Sequence, residues 1–151
     1  MRIVLQNVLS TQVTINDEIV STIGRGFLLF VGFTNGDNEE TVRLMADKTL
    51  SLRVFADERG LTNKCIQDIK GEIMSVSQFT LYANVKGGRR PSFTDAMPPL
   101  EATKLYDFFN HYLTSKFGKI ETGVFGADMK VSLTNDGPFT MLLDSKDLYD
   151  R

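Results

Sequence analysis

The chain has 151 residues, of which 42% are hydrophobic and 24% are charged, a balance typical of one globular domain over residues 1–151. Its 17 basic and 19 acidic residues give a net charge of −2, which argues against non-specific binding of nucleic acid through a basic body. The single cysteine, Cys65, excludes an internal disulfide framework, and with one histidine a Cys/His zinc cluster cannot be built in one subunit.

The apolar runs are too short for membrane targeting. The apolar start at residues 3–5 is interrupted by Gln6 and Asn7, so we expect no signal peptide, and no run has the length of a transmembrane helix. A protein with one cysteine and no such segment is expected in the cytoplasm.

The first part of the chain predicts β-structure. Apolar patterning predicts strands at residues 2–8, 12–15, 18–23 and 27–33, with a turn at Asn16 and Asp17. The fourth run is apolar almost throughout, as expected of a central strand that is covered on both faces. Short hairpins that lead into such a strand predict a mainly antiparallel sheet.

Two amphipathic helices are predicted. The first follows Asn38, and its buried stripe is formed by Val42, Met45, Ala46, Thr49 and Leu50. The second begins at Pro98 and Pro99, ends at Gly118, and buries Ala102, Leu105, Phe109, Tyr112 and Leu113. His111 lies off that stripe, so we expect it at the surface and not as a catalytic base.

Residues 72–81 begin as an alternating strand and end in a polar cluster. The alternation places Ile73, Ser75 and Ser77 on one face, while Met74, Val76 and Gln78 take the other. Around Gln78 and Phe79, hydroxyls, an amide and a large ring come together. This pattern fits either the wall of a pocket or a core strand with a half-solvated polar face.

Residues 83–96 are polar and rich in glycine, which predicts an exposed loop beside the pocket. Its cations Lys86, Arg89 and Arg90 form a local basic patch that suits an RNA end. Charge alone fits a solvated loop equally well.

The C-terminal third predicts a hairpin. Met129, Val131 and Leu133 alternate with polar residues, residues 135–138 form a turn, and residues 139–143 leave it as a strand. Asp-Gly between alternating runs is a strong hairpin signal. The charged tail at residues 144–151 is expected to fray.

A conventional side-chain catalyst is hard to build from this chain. A Ser-His-Asp site or a Cys-His site would have to use His111, and neither Ser77 nor Ser92 lies in a Gly-x-Ser-x-Gly elbow. From the residues alone, a binding module is therefore the safer interpretation.

Two motifs change that interpretation. Ser77-Gln78-Phe79-Thr80-Leu81 and Asn135-Asp136-Gly137-Pro138-Phe139-Thr140 resemble the signature motifs of the D-aminoacyl-tRNA deacylases, first described as D-tyrosyl-tRNA deacylases. Segments at residues 6–8, 88–93 and 122–129 are similar to family segments in the same order. The family pattern has Arg where this chain has Asn7.

The resemblance implies a fold, an assembly and a reaction. We expect an α+β domain with a curved, barrel-like, mainly antiparallel β-structure and two main helices, paired as a homodimer whose active site lies at the subunit interface. The reaction is hydrolysis of the ester that joins a D-amino acid, or glycine, to the 3′-terminal adenosine of tRNA. The substrate's own 2′-hydroxyl would help to activate water, and no metal or cofactor is expected.

The resemblance also assigns roles to residues. The catalytic residues would be Ser77, Gln78, Phe79 and Thr80. The substrate would be bound by Gly137, Pro138, Asn135, Met129 and Phe125, and the RNA contacted by Lys86, Arg89 and Arg90. In the family the Gly-Pro bond is cis, although sequence alone predicts trans, and its carbonyls reach into the partner's site and exclude an L side chain. A non-enzymatic dimeric protein that binds RNA ends or nucleotides is the alternative.

Overall fold

A computed structural model describes residues 1–149, in which eight strands and three α-helices are formed. The strands are β1 (Arg2–Ile15), β2 (Glu18–Ile23), β3 (Gly26–Gly32), β4 (Phe55–Ala56), β5 (Thr62–Lys64), β6 (Glu72–Ser77), β7 (Glu121–Thr122) and β8 (Lys130–Asp144). The helices are α1 (Glu39–Ser51), α2 (Pro99–Phe117) and α3 (Ser145–Tyr149), with a 3₁₀ helix at Phe79–Tyr82. Among these helices, none is both long enough and apolar enough to cross a membrane.

One curved sheet has the strand order β2-β1-β3-β6-β7, with β8 paired to β1. β1 is antiparallel to β2, β3 and β8, whereas β6 is parallel to both β3 and β7. The Ser21 hydroxyl donates a hydrogen bond to the Thr122 carbonyl, which brings β2 beside β7 and nearly closes the sheet. The predicted α+β, barrel-like fold is confirmed, and the sheet is mixed because of its two parallel pairings.

β1 is one long strand where the sequence predicted two. Val8 pairs with Asn135 and Ser10 with Thr134, so Leu9 is an extra residue that forms a β-bulge. The bulge changes which side chains point to each face. Ile3 and Leu5 pack in the main core beneath the helices, whereas Val8 and Val13 pack in a second cluster with Leu28, Met74 and Val76.

β8 is also one strand, and the predicted hairpin at residues 135–138 is wrong. Residues 130–135 and 140–144 both pair antiparallel with β1, so the chain keeps its direction through the motif. Between Val8 and Gln6 the partner of β1 jumps from Asn135 to Thr140. The four intervening residues therefore leave the ladder as a protruding segment, because β1 is long enough to pair with the strand on both sides of it.

Both predicted helices are confirmed. The Asn38 side chain accepts a hydrogen bond from the Thr41 N–H at 3.0 Å and caps α1, and the whole predicted stripe is buried. In α2, Tyr106 is among the buried residues, while the predicted Leu105 and Tyr112 are only half-buried. His111 is exposed, as predicted.

β6 is a core strand, and of its two serines Ser77 is half-buried whereas Ser75 is fully buried, so its polar face is less solvated than the alternative interpretation expected. Ile73 packs in the main core, whereas Met74 and Val76 belong to the second cluster, and Ser75 between them is fully buried. Its main chain pairs with β3 on one edge and with β7 on the other, while the two clusters cover its faces.

The charged tail is ordered over the described residues 145–149, where fraying was predicted. The Ser145 hydroxyl accepts a hydrogen bond from the ammonium of Met1 at 2.9 Å, and the Tyr149 hydroxyl donates to the Leu44 carbonyl at 3.2 Å. These contacts hold α3 against the N-terminus and α1. The rest of the predicted tail, residues 150–151, lies outside the described residues.

Candidate active site

A cavity of about 300 Å³ opens where β6 ends. Five of the residues predicted for the site line it, namely Ser77, Gln78, Phe79, Phe125 and Met129. Phe30, Val76 and Val131 complete an apolar wall opposite the polar end of the strand. A cavity of this size, apolar with a few polar groups, is in the range of small-molecule sites.

The polar end of the cavity is formed where the strand turns into the 3₁₀ helix. The Gln78 N–H donates the last bond of the ladder to the Val31 carbonyl at 2.8 Å. The Gln78 side chain does not cap the 3₁₀ helix, so it leaves the first N–H groups of that helix uncapped. Instead the Gln78 Nε2 donates a hydrogen bond to Thr80 Oγ1 at 2.7 Å, which orients the Thr80 hydroxyl. Thr80 itself does not line the cavity, although it was predicted as a site residue.

Phe79 is not a core residue. Its side chain is 53% exposed, and its ring meets that of Phe93 edge-on, with 4.9 Å between centroids. Phe93 belongs to the loop at residues 83–96, so this contact holds the loop beside the cavity, as predicted. The loop cations Lys86, Arg89 and Arg90 are exposed.

Tyr106 stabilises the cavity wall through its contacts with Ser75 and Phe125, and the sequence analysis did not predict this residue. Its hydroxyl donates to the Ser75 carbonyl at 2.8 Å, and the Gly123 N–H donates to the same carbonyl at 2.9 Å. The Tyr106 ring also lies 5.9 Å from that of Phe125 in the cavity wall. Burial raises the pKa of Tyr106, so the phenol stays a neutral donor at physiological pH. Tyr106 lies four residues after Ala102 and three residues before Phe109, so this helical spacing could have placed it on the buried stripe of α2.

Gly123 allows the wall to close. A Cβ at this position would lie 2.6 Å from the Met129 sulfur, so any larger residue would force the Met129 side chain to move. Since Gly123 also bonds to Ser75, the segment that carries Phe125 and Met129 is fixed to β6 at the base of the cavity.

The protruding segment of β8, residues 136–139, is built around Asn135. The Asn135 side chain accepts from the Phe139 N–H at 3.1 Å, and its Nδ2 donates to the Phe139 and Asn7 carbonyls, each at 2.9 Å. Phe139 packs against the main core. Gly137 and Pro138 stand exposed at the tip, joined by a cis peptide bond.

Asn135, Gly137 and Pro138 do not line the cavity of their own chain. The predicted site residues therefore fall into two groups within one chain: one lines the cavity at the end of β6, and the other lies on β8 away from that cavity. Gly137 has φ of +141°, and a Cβ there would lie 2.9 Å from the Phe139 nitrogen, so the tip requires glycine.

Asn7, where the family pattern has Arg, points away from the protruding segment. Its Nδ2 donates to the Val54 carbonyl at 2.9 Å in a buried position, and its Oδ1 has no partner among the described residues. The Asn7 main chain contributes to the bracing, because its carbonyl accepts the hydrogen bond from Asn135 Nδ2. The side chain of Asn135, and not that of Asn7, therefore braces this segment.

Conventional catalytic groups do not converge on the cavity. His111 lies on the exposed face of α2 and Cys65 follows β5, and neither lines it. Within residues 1–149, no group of three His, Cys, Asp or Glu residues is placed to hold a metal ion. One carboxylate, that of Asp128, lines the cavity, and it is paired with Lys130 at 3.1 Å. The other chemistry available there is that of hydroxyls, amides and main-chain groups.

The sequence model of the family described as D-Tyr-tRNA(Tyr) deacylase matches residues 4–144. The chain belongs to this family. A relative from Lactobacillus gasseri, named D-aminoacyl-tRNA deacylase, is 54% identical over 144 residues, which are 95% of this chain and 99% of the relative. A relative from Roseiflexus sp. with the same name is 52% identical over 145 residues, 96% of this chain and 94% of its own.

Solved structures share the deacylase fold. One described as a c-Myc DNA unwinding element binding protein superposes with a TM-score of 0.91 at 39% identity, covering 95% of this chain and 98% of that one. A second, described as a probable eukaryotic D-amino acid tRNA deacylase, has a TM-score of 0.84 at 20% identity, with 94% and 97% covered.

Proposed function

We propose that this protein hydrolyses the ester bond of D-aminoacyl-tRNA and releases free tRNA and the D-amino acid. The observation that carries the proposal is the match to relatives named D-aminoacyl-tRNA deacylase over nearly the full length of both chains. The cavity at the end of β6, which is made by the first of the two signature motifs, is consistent with it. We place the reaction in the cytoplasm, where aminoacyl-tRNA is used.

The terminal adenosine of the tRNA occupies the cavity in this proposal. Phe79, exposed at its rim, offers a ring face to the adenine, and stacking of this kind contributes roughly 1–3 kcal/mol per base. Phe125 and Met129 form the apolar wall. Lys86, Arg89 and Arg90 on the adjacent loop lie where they can meet the phosphates that precede the adenosine.

Hydrolysis proceeds by attack of water on the ester carbonyl. The water oxygen forms the new bond to the carbonyl carbon, the bond to the ribose 3′-oxygen breaks, and the proton lost by water passes to that oxygen. The 2′-hydroxyl of the same ribose positions the water, and the Thr80 hydroxyl, held by Gln78, accepts or donates a hydrogen bond beside it. Ser77 bounds the same end of the cavity.

Main-chain N–H groups at Phe79 and Thr80 stabilise the oxyanion that forms on the carbonyl oxygen. The Gln78 side chain leaves the start of the 3₁₀ helix uncapped, as such a role requires. One preorganised donor typically contributes about 3–4 kcal/mol to the transition state. A site of this kind needs no nucleophilic side chain.

Selection of the D enantiomer is assigned to the tip of the protruding segment in a homodimer. Gly137 and Pro138 are exposed and stand away from the cavity of their own chain, so we assign them to the cavity of a second copy. There their carbonyls would lie against the substrate α-carbon and leave no room for an L side chain. Glycine, which has no side chain, would also be accepted.

A second candidate function is binding of a nucleic-acid end without turnover. It is favoured by the 39% identical solved structure described as a DNA unwinding element binding protein. The same cavity and basic loop would serve it.

Multiple-turnover kinetics separate the two functions. Purified protein is mixed with a hundredfold excess of D-tyrosyl-tRNA labelled in the amino acid, and the release of free tyrosine is followed. A catalyst releases many equivalents of tyrosine for each protein chain. Release that stays at the uncatalysed rate, with the tRNA bound, would support the binding function and contradict the proposed one.

A further inference from the structure

A second cavity, of about 620 Å³, lies at the other end of the 3₁₀ helix. Tyr82, the last residue of that helix, lines this cavity, whereas Phe79, the first, lines the candidate active site. At about 2 Å per residue, the two ends of the helix are roughly 6 Å apart. One polynucleotide strand is therefore long enough to occupy both cavities.

Arg2 and Asp144 form a fixed, neutralised part of the cavity wall. Arg2 Nε pairs with Asp144 Oδ2 at 2.8 Å, and its Nη1 donates to the Leu81 carbonyl at 2.7 Å. The guanidinium lies 4.5 Å from the centre of the Tyr82 ring. These contacts leave Arg2 little capacity to bind a ligand directly, but they hold the cavity in shape.

Three charged side chains at the cavity remain available. Lys86 comes from the basic loop, Lys146 from α3 and Asp95 from the segment before α2, and all three are exposed. None of them has an ion pair with any residue from 1 to 149. Two ammonium groups and one carboxylate thus face the same space from separate parts of the chain.

This combination of charges fits a ribonucleotide better than a simple anion. Ammonium groups bind phosphate oxygens, whereas a carboxylate accepts hydrogen bonds and repels a bare phosphate. A ribose 2′-hydroxyl is a donor that a carboxylate can accept, and RNA carries it next to each phosphate. A protein whose net charge is −2 also needs such a local site to hold a polyanion.

We propose that this second cavity binds the ribose-phosphate backbone of the RNA strand whose 3′ end enters the active site. Lys86 and Lys146 contact phosphates, and Asp95 accepts a hydrogen bond from a ribose 2′-hydroxyl. The identification of the RNA as tRNA rests on the proposed function, and the contacts themselves do not.

The test measures binding of an RNA hairpin that carries no amino acid and copies a tRNA acceptor stem with its single-stranded 3′-CCA end. The Kd is measured by fluorescence anisotropy between 50 and 300 mM salt for wild type and for the double variant Lys86→Ala, Lys146→Ala. Each phosphate contact on a single strand contributes about 0.7 to the slope of log K against log salt. Loss of two contacts should make this slope shallower by about 1.4 and, at 0.1 M salt, should raise the Kd by about 25-fold.

A matched control removes the same charge elsewhere. Lys104→Ala with Lys116→Ala changes two exposed lysines of α2, neither of which lines the cavity. This control should keep the wild-type Kd and slope. Equal losses in the two double variants would show a general charge effect and would overturn the proposal, as would an unchanged Kd in Lys86→Ala, Lys146→Ala.

The ribose contact has its own comparison. Wild type should bind the RNA hairpin more tightly than a DNA hairpin of the same sequence, and Asp95→Asn should reduce that difference. Equal affinity of wild type for RNA and DNA would overturn the assignment to RNA. Because the hairpin carries no amino acid, these binding results do not depend on whether the protein hydrolyses D-tyrosyl-tRNA. Failure of the proposed function would therefore be recognised separately, in the hydrolysis assay.

Discussion

Replacement of Gly137 by alanine should slow hydrolysis of D-aminoacyl-tRNA in a protein that still folds. Gly137 has φ of +141°, a region that is essentially restricted to glycine, and occupying it with another residue costs about 1–3 kcal/mol. The added Cβ would lie 2.9 Å from the Phe139 nitrogen, whereas a normal contact is about 3.5 Å. The tip must therefore move by roughly half an ångström. Since misplacement by about 1 Å costs on the order of a hundredfold in rate, we expect about a tenfold loss.

The assay is single-turnover deacylation of matched D- and L-tyrosyl-tRNA, together with urea unfolding of each variant. Gly60→Ala is the matched control, because Gly60 also has a positive φ, of +79°, but a Cβ there meets nothing within 4 Å. Both variants should lose about 1–3 kcal/mol of unfolding free energy. Only Gly137→Ala should lose D-specific rate.

A folded Gly137→Ala protein with the wild-type rate on the D substrate and the wild-type D/L ratio would refute this reasoning. The tip would then have no part in substrate selection, and the exposure of Gly137 and Pro138 would need another explanation.

Three further changes test other parts of the site. Thr80→Ala should lower kcat by about 10–100-fold, far less than the roughly 10⁶-fold of a nucleophile knockout, and an acyl-enzyme trapped on Thr80 or Ser77 and seen by mass spectrometry would contradict this. Tyr106→Phe removes the bond to the Ser75 carbonyl and should cost about 1 kcal/mol of stability and raise KM for D-tyrosyl-adenosine, so an unchanged KM would remove Tyr106 from its supporting role. Specific activity should fall on dilution in parallel with the dimer fraction measured by sedimentation, and a fully active monomer would argue against a site shared between subunits.

The helices could be predicted from the sequence because their signals are local. Asn38 caps α1 by a bond to a residue three positions away, and the apolar period of the helix is set by its own geometry. The same locality explains the correct turn at Asn16 and Asp17, both of which have positive φ. Signals of this kind need no knowledge of which strand lies next to which.

The errors in strand assignment concern β8 and β1, where the outcome depends on pairing over a long distance. Asp136 and Gly137 satisfy the hairpin pattern, yet the residues on both sides of them pair with β1 and not with one another. Asn135 then supplies the hydrogen bonds that a hairpin would have supplied, through its contacts with Phe139. A bulge at Leu9 shifts the phase of β1 in a way that no alternation of apolar residues reveals.

The residues that line the cavity could be predicted in part, but their arrangement could not. The first motif was placed at the end of a strand from its residue types, and the structure puts Ser77, Gln78 and Phe79 around the cavity. The position of the second motif on a protruding segment away from that cavity depends on the register of β8 against β1. Tyr106 escaped notice because a tyrosine within a helical stripe is usually a packing residue, and its bond to Ser75 joins residues 31 positions apart.

Initial rates of tyrosine release from D-tyrosyl-tRNA and L-tyrosyl-tRNA, measured with one purified preparation under the same conditions, decide whether this chain is a chiral hydrolase. We expect catalysed release from the D substrate and release at the uncatalysed rate from the L substrate. Equal rates on both, or no catalysed release from the D substrate, would contradict the proposed function.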